Sequence, residues 1–330
     1  MAITLAEAKV GMSDKVDQMV IDAFQRSSIL LDRLTFDNAI SPGTGGSTLA
    51  YGYTQLQTPS TAAVRQVNSE YTPGEAKRVK KTTNAIIMGG SFSVDRVIQN
   101  TSGAIDEMAF QAEQKIKATA NYFHNCVING TSASSGAGYV PNTFDGLAKL
   151  LAGTSNEFTS EVDITTSANM DANKNAFLDE LDAVVSAVDG ASMLMMNQAM
   201  LIKARSIARR AGYYESTKDD FGRVVETYRG LPMVDLGKFY NGSASVDVVG
   251  TSAATSSAAG STSIYVVSLG LDGFHGISPT GTGVINSYMP DMAAPGAVKT
   301  GEVELVAGVA LKSTLKAAVL KGIKVTPKTA

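Results

Sequence analysis

The feature that most constrains this chain is a long, uninterrupted helical pattern over residues 102–129. At 1.5 Å per residue such a helix is a rod of roughly 40 Å. An Asn-Gly pair at 129–130 predicts its end. A rod of this length is unusual in a chain of 330 residues, which corresponds to about two ordinary domains. Small and apolar residues recur at intervals of three or four, as on one face of an α-helix: Ile105, Ala109, Ala112, Ile116, Ala120, Phe123 and Val127.

A polar, extended segment precedes this helix. Residues 48–58 alternate leucine and tyrosine with small polar residues, which predicts a strand. A turn is predicted at Pro59 and Ser60, and residues 62–72 are expected to return antiparallel. The sequence is too polar to be buried on both faces, so this hairpin is predicted to project. Because an isolated two-stranded ribbon is marginal in water, a neighbouring molecule has to cover it.

The first residues are predicted to form an arm. Apolar residues of helical spacing run through 13–34, and the glycine-rich loop at 41–48 separates this helix from the predicted hairpin. After the long helix, strands and helices alternate. The predicted segments are a helix from Asn175, a buried strand at 192–197, a basic helix at 198–212 and a hairpin at 222–235. They continue with a low-complexity surface insertion at 241–263 that holds one strand, SVDVVG, a buried strand from Ser263, and two C-terminal strands.

Composition excludes several functions. The chain has 28 basic and 31 acidic residues, a net charge of -3, which argues against strong electrostatic binding of nucleic acid. One cysteine, Cys126, excludes an internal disulfide, and two histidines, His124 and His275, leave little material for a transition-metal site. Phosphate-loop and hydrolase-elbow motifs are absent. We therefore predict no catalytic, cofactor-binding or metal-binding residues, no cofactor, and no membrane-spanning segment.

Two basic clusters stand out. The helix at 198–212 carries Lys203, Arg205, Arg209 and Arg210, for which a solvated face and contact with a phosphate backbone or an acidic surface are equally good interpretations. The second cluster comes after the hairpin, and we expect it to pair with acidic residues of another copy of the chain. It consists of Lys77, Arg78, Lys80 and Lys81.

The order of these segments resembles the major capsid proteins of tailed double-stranded DNA phages, which have the Hong Kong ninety-seven phage fold. The end of the arm, SSILLDRLTFDNAISPG, is similar to the end of the family's N-arm, and the hairpin to its E-loop. SFSVDRVIQN leads into the long helix as into a spine helix. VINGTSASSGAGYVPNTFDGLAKLL resembles the turn after the spine, and MNQAMLIKARSIARRAGYYE with GRVVETYRGLPMVD resembles the axial segment.

The resemblance implies an α+β fold with five parts. These are an N-terminal arm at 1–46, an E-loop hairpin at 47–84, a peripheral domain at 85–150 that holds the spine helix, an axial domain at 151–290, and C-terminal strands at 291–330 that return to the peripheral domain. The implied function is self-assembly through pentamers and hexamers into an icosahedral shell around double-stranded phage DNA, in the host bacterial cytoplasm.

The same resemblance implies the partners. They are other copies of the chain, packaged DNA held weakly and non-specifically, and a separate scaffold, portal or decoration protein. The residues predicted to contact a neighbouring subunit are Val20, Phe24 and Leu31 in the arm, Tyr51, Tyr53, Leu56, Val64, Arg65 and Val67 in the hairpin, and Lys77, Arg78, Lys80 and Lys81 after it.

Two other functions remain open from the sequence. A bacterial nanocompartment shell protein resembles the same fold but encloses enzymes rather than DNA. A monomeric α+β enzyme is the alternative from another class, although the clustered His, Asp, Glu or Cys of an active site is missing. The cargo of purified particles and their size would distinguish the three.

Overall fold

The computed structural model describes residues 29–38, 40, 49–101, 106–135, 138–212, 215–218, 224–279 and 285–329. The helices are α1 (Ile29–Arg33), α2 (Arg96–Thr101), α3 (Glu107–Asn129), α4 (Leu147–Leu150), α5 (Ser167–Ser186) and α6 (Gln198–Ala211). The first eight strands are β1 (Phe36–Asp37), β2 (Ala50–Thr58), β3 (Lys77–Asn84), β4 (Ile86–Asp95), β5 (Glu157–Thr159), β6 (Met193–Met196), β7 (Glu215–Lys218) and β8 (Val224–Tyr228). The remaining strands are β9 (Leu231–Asp235), β10 (Lys238–Tyr240), β11 (Ser245–Asp247), β12 (Gly260–Val267), β13 (Phe274–Ile277), β14 (Asn286–Tyr288), β15 (Val298–Leu311) and β16 (Ala317–Thr326).

The first sheet is built around the long strand β15. Strands β4, β13 and β14 all pair with β15 antiparallel, and β1 joins β13 in parallel. Side chains alternate between its two faces, as in any strand. Val303 and Leu305 are buried on the face that α3 covers, whereas Glu302 and Glu304 lie on the opposite face.

The second sheet has seven strands in the order β5, β16, β12, β6, β9, β8, β7. Helices α5 and α6 pack on one face, around Phe177, Leu181 and Met200. The other face meets the C-terminal part of α3 and helix α4 through Met193, Tyr265 and other buried side chains. The fold is therefore α+β, with α3 running from the first sheet into the core that it shares with the second.

Helix α3 begins where a side chain caps it. The Asp106 carboxylate accepts hydrogen bonds from the backbone N–H groups of Met108 and Ala109, both at 3.1 Å. A hydrogen bond from the Gln99 side chain, together with these two backbone bonds, holds the pKa of Asp106 below its usual value. The helix has 23 residues and is about 34 Å long. It begins at Glu107 rather than at residue 102, so it is shorter than the helix predicted over 102–129. In the first half of α3 only the side chains along one face of the helix are buried, whereas residues 123–128 are buried on every face.

Several sequence expectations are confirmed. Strand β6 is buried along its whole length. Helix α6 begins after the N-cap Asn197 and ends before Gly212. Strands β8 and β9 form the expected hairpin, with Arg229 and Gly230 in the left-handed region at φ 51° and 77°. Two such residues make the tight turn that matches strand twist.

The expected return strand of the projecting hairpin is wrong. Strand β2 pairs with β3 at 77–84, not with residues 62–72, and Tyr51 lies opposite Thr83. Residues 59–76 form no strand. Pro59 and Pro73 flank this excursion and cannot donate backbone hydrogen bonds to a ladder, so pairing resumes only after them.

Two boundaries in the second half also need correction. The stretch 241–263 is not wholly a surface insertion, because Val248 and Val249 are buried and β12 begins at Gly260. The Asn197 amide donates hydrogen bonds to the Val249 carbonyl and the Thr262 hydroxyl, both at 2.9 Å. Only β15 of the two C-terminal strands lies in the first sheet, since β16 pairs with β5 and β12 in the second.

None of the helices in the described part of the chain has the length and apolar run that a membrane span requires.

Candidate subunit interface

The projecting hairpin, residues 49–84 and hereafter the hairpin arm, is anchored at its root. Tyr51 and Tyr53 are only 7% and 9% exposed, and they pack against Ile277 and Ala310 of the first sheet. Their rings stack at 5.9 Å between centroids, and Tyr51 meets His275 edge-on at 5.7 Å. The root therefore covers one end of the sheet face opposite α3.

Polar contacts fix the same root. The Tyr51 hydroxyl donates to Asp37 Oδ2 at 3.1 Å, and the Thr83 hydroxyl donates to the Val309 carbonyl at 3.0 Å. Burial, together with the Asp37 charge, raises the pKa of Tyr51 to about 12. The phenol therefore stays protonated and keeps donating. Burial and the nearby Lys312 ammonium lower the pKa of His275.

Beyond the root, the two faces of the arm differ. Residues directly opposite each other in an antiparallel pair share a face, and the register pairs Thr54 with Lys80 and Leu56 with Arg78. The resulting basic arm face presents Leu56, 58% exposed, beside two cations. The Lys80 side chain lies along Gly52, whose missing Cβ would be 3.2 Å from Lys80 Cε. Lys81 lies on the other face, opposite Tyr53.

Contacts within the tip of the arm stabilise a turn at residues 65–71. The Arg65 guanidinium donates to the Ser69 carbonyl at 3.1 Å and lies 5.6 Å from the centre of the Tyr71 ring. Ser69 also closes the turn through hydrogen bonds with Gln66. Val64 and Val67 point into solvent, 100% and 89% exposed. Both apolar side chains are therefore available at the tip of the arm.

A complementary surface lies on the first sheet. On the face opposite α3, beyond the part that the arm root covers, Ile87 and Tyr288 are 65% and 54% exposed. Glu302 and Glu304 lie between them, with Glu302 directly opposite Tyr288 in the ladder and Glu304 opposite Gly89. Neither carboxylate forms an ion pair with any residue that the structure describes. These four residues form the acidic sheet face.

Comparison with known proteins identifies the family. The family model described as SU10 major capsid protein matches residues 14–232, which is most of the chain. The chain belongs to the SU10 major capsid protein family. It is accordingly a shell-forming structural protein of phage virions.

Solved structures share the fold of this capsid protein over its length. An encapsulin from Synechococcus elongatus PCC 7942, solved as a holo-SrpI complex, has a TM-score of 0.63 at 14% identity and covers 100% of this chain and 99% of its own. Mycobacterium phage Bobi gives a TM-score of 0.58 at 12% identity, with 97% and 98% covered. The capsid of a native GTA particle gives 0.57 at 11% identity, with 94% and 95% covered. No curated protein sequence matches the chain.

The predicted contact residues of the capsid protein fall into three groups. Val20 and Phe24 lie outside the described residues. Leu31 is half-buried against its own subunit, and Tyr51 and Tyr53 are buried there. The remaining residues are exposed along the arm: Leu56, Val64, Arg65, Val67, Lys77, Arg78, Lys80 and Lys81.

Other sequence candidates take structural roles. In the basic helix α6, Lys203 donates to the Thr165 carbonyl at 2.8 Å, Arg205 pairs with Glu226, and Arg210 pairs with Asp171, so only Arg209 of the four cations is exposed. The two interpretations drawn from the sequence therefore do not describe this helix, because contacts within the subunit hold three of its four cations.

The groups considered for chemistry are buried and uncharged. Burial raises the pKa of the Cys126 thiol to about 12 and lowers the pKa of His124 to about 4. A thiol that is not ionised is a poor nucleophile. Among the described residues, no three His, Cys, Asp or Glu side chains are placed to hold a metal ion.

The acidic sheet face was missed by sequence reasoning, as was Tyr71 at the tip. Glu302 and Glu304 alternate with buried valine and leucine in β15, which only indicates a half-buried strand. Their role as a binding surface becomes apparent only beside the basic arm face, which lies more than 200 positions earlier in the sequence.

Proposed function

We propose that this capsid protein assembles through pentamers and hexamers into an icosahedral shell that encloses double-stranded phage DNA, in the cytoplasm of the host bacterium. In this proposal the hairpin arm acts as the E-loop and α3 as the spine helix. Contact with DNA is weak and non-specific, in keeping with the net charge of -3. The observation that carries the proposal is the hairpin arm, whose Leu56, Arg78 and Lys80 are exposed and form no ion pair with any residue in the described part of the chain.

We further propose where the arm binds. The basic arm face presents Leu56, Arg78 and Lys80, and the acidic sheet face presents Ile87, Glu302 and Glu304. In each surface the two charges are two residues apart on one strand, about 6.6 Å. The arm of one subunit therefore fits the acidic sheet face of its neighbour, with two ion pairs beside an apolar contact. Complementary charges of this kind set the register of an interface.

A charge-exchange experiment tests this docking. Arg78→Glu with Lys80→Glu should abolish closed shells, because four carboxylates would then face one another, and Glu302→Lys with Glu304→Lys should do the same. Combining the four changes should restore shells. The matched control is Lys77→Glu with Lys81→Glu, which reverses two charges on the other face of the same strand and should leave assembly intact. Particles are counted by electron microscopy, and folding of each subunit is checked by circular dichroism.

The outcomes separate the docking from the function. Shells that form normally with reversed arm charges would refute the docking. A wild-type protein that never forms particles larger than a small oligomer would refute the shell itself. The cargo of purified shells tests the DNA proposal, because nucleic-acid absorbance supports a phage capsid, whereas a stoichiometric protein cargo band would indicate a nanocompartment.

A further inference from the structure

A groove lies along the solvent side of α3, away from the hairpin arm. It has a volume of about 390 Å³ and is bounded by α3 on one side and by strand β10 on the other. This size is in the range of clefts that bind ligands. Because α3 and the arm root pack on opposite faces of the first sheet, this α3 groove cannot be covered by the docking proposed above.

The lining of the α3 groove combines aromatic and basic side chains. Phe239 and Ala118 contribute apolar surface, and Tyr122 and Tyr240 are exposed at 38% and 63%. Three lysines and three carboxamide side chains complete it. The groove therefore offers apolar contact, hydrogen-bond donors and positive charge.

Two of the three lysines already have partners in their own subunit. Lys117 pairs with Glu113 one helical turn away, and Lys238 lies 3.5 Å from Asp247. Lys115 differs. It is half-buried, with its side chain against Gly90 of β4, and no described carboxylate lies within ion-pair distance. A lysine in a groove with no described carboxylate within ion-pair distance gives the groove a positive charge that attracts an anion.

The charge and length of the groove indicate whether a nucleic acid or a peptide carboxylate would bind there. A nucleic acid needs several uncompensated cations along its backbone, and the described groove supplies one. The lining positions on α3 run from Gln111 to Tyr122, about 16 Å along the helix. That is the length of about five residues of extended peptide. The groove thus sets apolar surface beside one cation, which suits an apolar peptide segment that carries one carboxylate.

We propose that the α3 groove binds an extended segment of another polypeptide, about five residues long, with a central carboxylate on Lys115 and apolar side chains against Tyr122 and Phe239. The site does not depend on shell assembly, since every residue that it uses belongs to one subunit.

The probe is a fluorescein-labelled peptide, Leu-Val-Asp-Val-Leu with Gly-Ser at each end, titrated with the full-length protein and followed by fluorescence anisotropy. Lys115→Gln should weaken binding at least tenfold, because it removes a charge-assisted hydrogen bond. The matched control is Lys117→Gln, on the same helix and in the same groove, which removes a cation that Glu113 already neutralises. It should change the affinity less than threefold.

Further probes keep the proposal testable if Lys115→Gln does not fold. The same peptide with Asn in place of Asp should bind the unaltered protein at least tenfold more weakly. Equal binding of the two peptides, or no binding of either, would overturn the proposal. It would equally be overturned if a ten-nucleotide oligothymidine bound more tightly than the acidic peptide and lost affinity in Lys115→Gln, since the groove would then be a nucleic-acid site.

Discussion

The Tyr51 hydroxyl donates a hydrogen bond to Asp37 and thereby joins the first strand of the hairpin arm to the strand β1 that precedes it in the sequence. The two residues are 14 positions apart. The contact lies where the arm leaves the subunit, so it helps to hold the arm before any neighbour covers it.

Replacing Tyr51 with Phe should loosen the root of the arm. The ring packing stays, but the hydrogen bond from Tyr51 to the Asp37 carboxylate is lost, at a cost of about 1 kcal/mol. Hydrogen exchange at the amides of residues 50–58 and 77–84 should accelerate about fivefold in the unassembled subunit. Exchange in β6, on the second sheet, is the internal reference. Unchanged exchange in the arm would show that the rings alone hold it.

A methyl group at Gly130 should strongly destabilise the subunit. A Cβ there would lie 2.5 Å from the backbone oxygens of both Cys126 and Phe144, and backbone atoms cannot move aside cheaply. Gly130→Ala should therefore lower the free energy of unfolding by about 3 kcal/mol. Gly250→Ala is the control, because its Cβ would meet nothing within 4 Å. Urea unfolding measures both variants, and equal stabilities would contradict the close approach.

The stability of the unassembled subunit should fall with pH below 6.5 because of His124. Burial lowers the pKa of this side chain from 6.5 to about 4 in the folded state. Between these values the unfolded chain binds more protons, so stability is lost as the pH falls. The loss from pH 6.5 to 5 should be about 2 kcal/mol. The pKa of His275 is lowered as well, which adds a change of the same sign.

The measurement is urea unfolding at several pH values for the wild type and His124→Gln. The variant should be less stable at pH 7 yet lose less stability on acidification. A variant with the same pH slope as the wild type would show that His124 is not the group responsible.

Removing the Arg65 side chain should affect the tip and not the fold. Its hydrogen bond to Ser69 and its contact with the Tyr71 ring are local, so Arg65→Ala should change the unfolding free energy by less than about 0.5 kcal/mol. Chymotrypsin should cleave after Tyr71 several-fold faster, because the ring is released. The control is Val64→Ala, whose fully exposed side chain makes no such contact. Equal cleavage in both variants would refute a self-supported tip.

The sequence predicted those helices, strands and turns whose formation depends on neighbouring residues in the chain. Strand β6, helix α6 and the β8–β9 turn each carry their own signal in apolar runs, caps and turn residues. The return strand β3 does not, because its sequence KRVKKTTN is rich in lysine, a residue depleted in strands. Its pairing with the tyrosine-bearing β2 is stabilised by that partner rather than by its own composition.

The rest depended on contacts between distant segments. Val248 and Val249 are buried because Asn197 and the second sheet cover them, and the predicted strand SVDVVG gave no sign of these distant contacts. The acidic sheet face requires β15 beside β4, and the α3 groove requires β10 beside α3. Periodicity indicated that α3 was a long helix, but it did not show that Lys115 would have no carboxylate partner while Lys117 had one.

The two halves of α3 will follow different evolutionary paths. In the first half of α3 only one stripe is buried, so exposed positions such as Ala109 tolerate substitution, whereas residues 123–128 are all buried and each must keep its volume. A single inserted or deleted codon between these halves would rotate one against the other by about 100°. Either the first-sheet contacts or the shared core would then be lost, so the number of residues in this helix should be inherited more strictly than their identity.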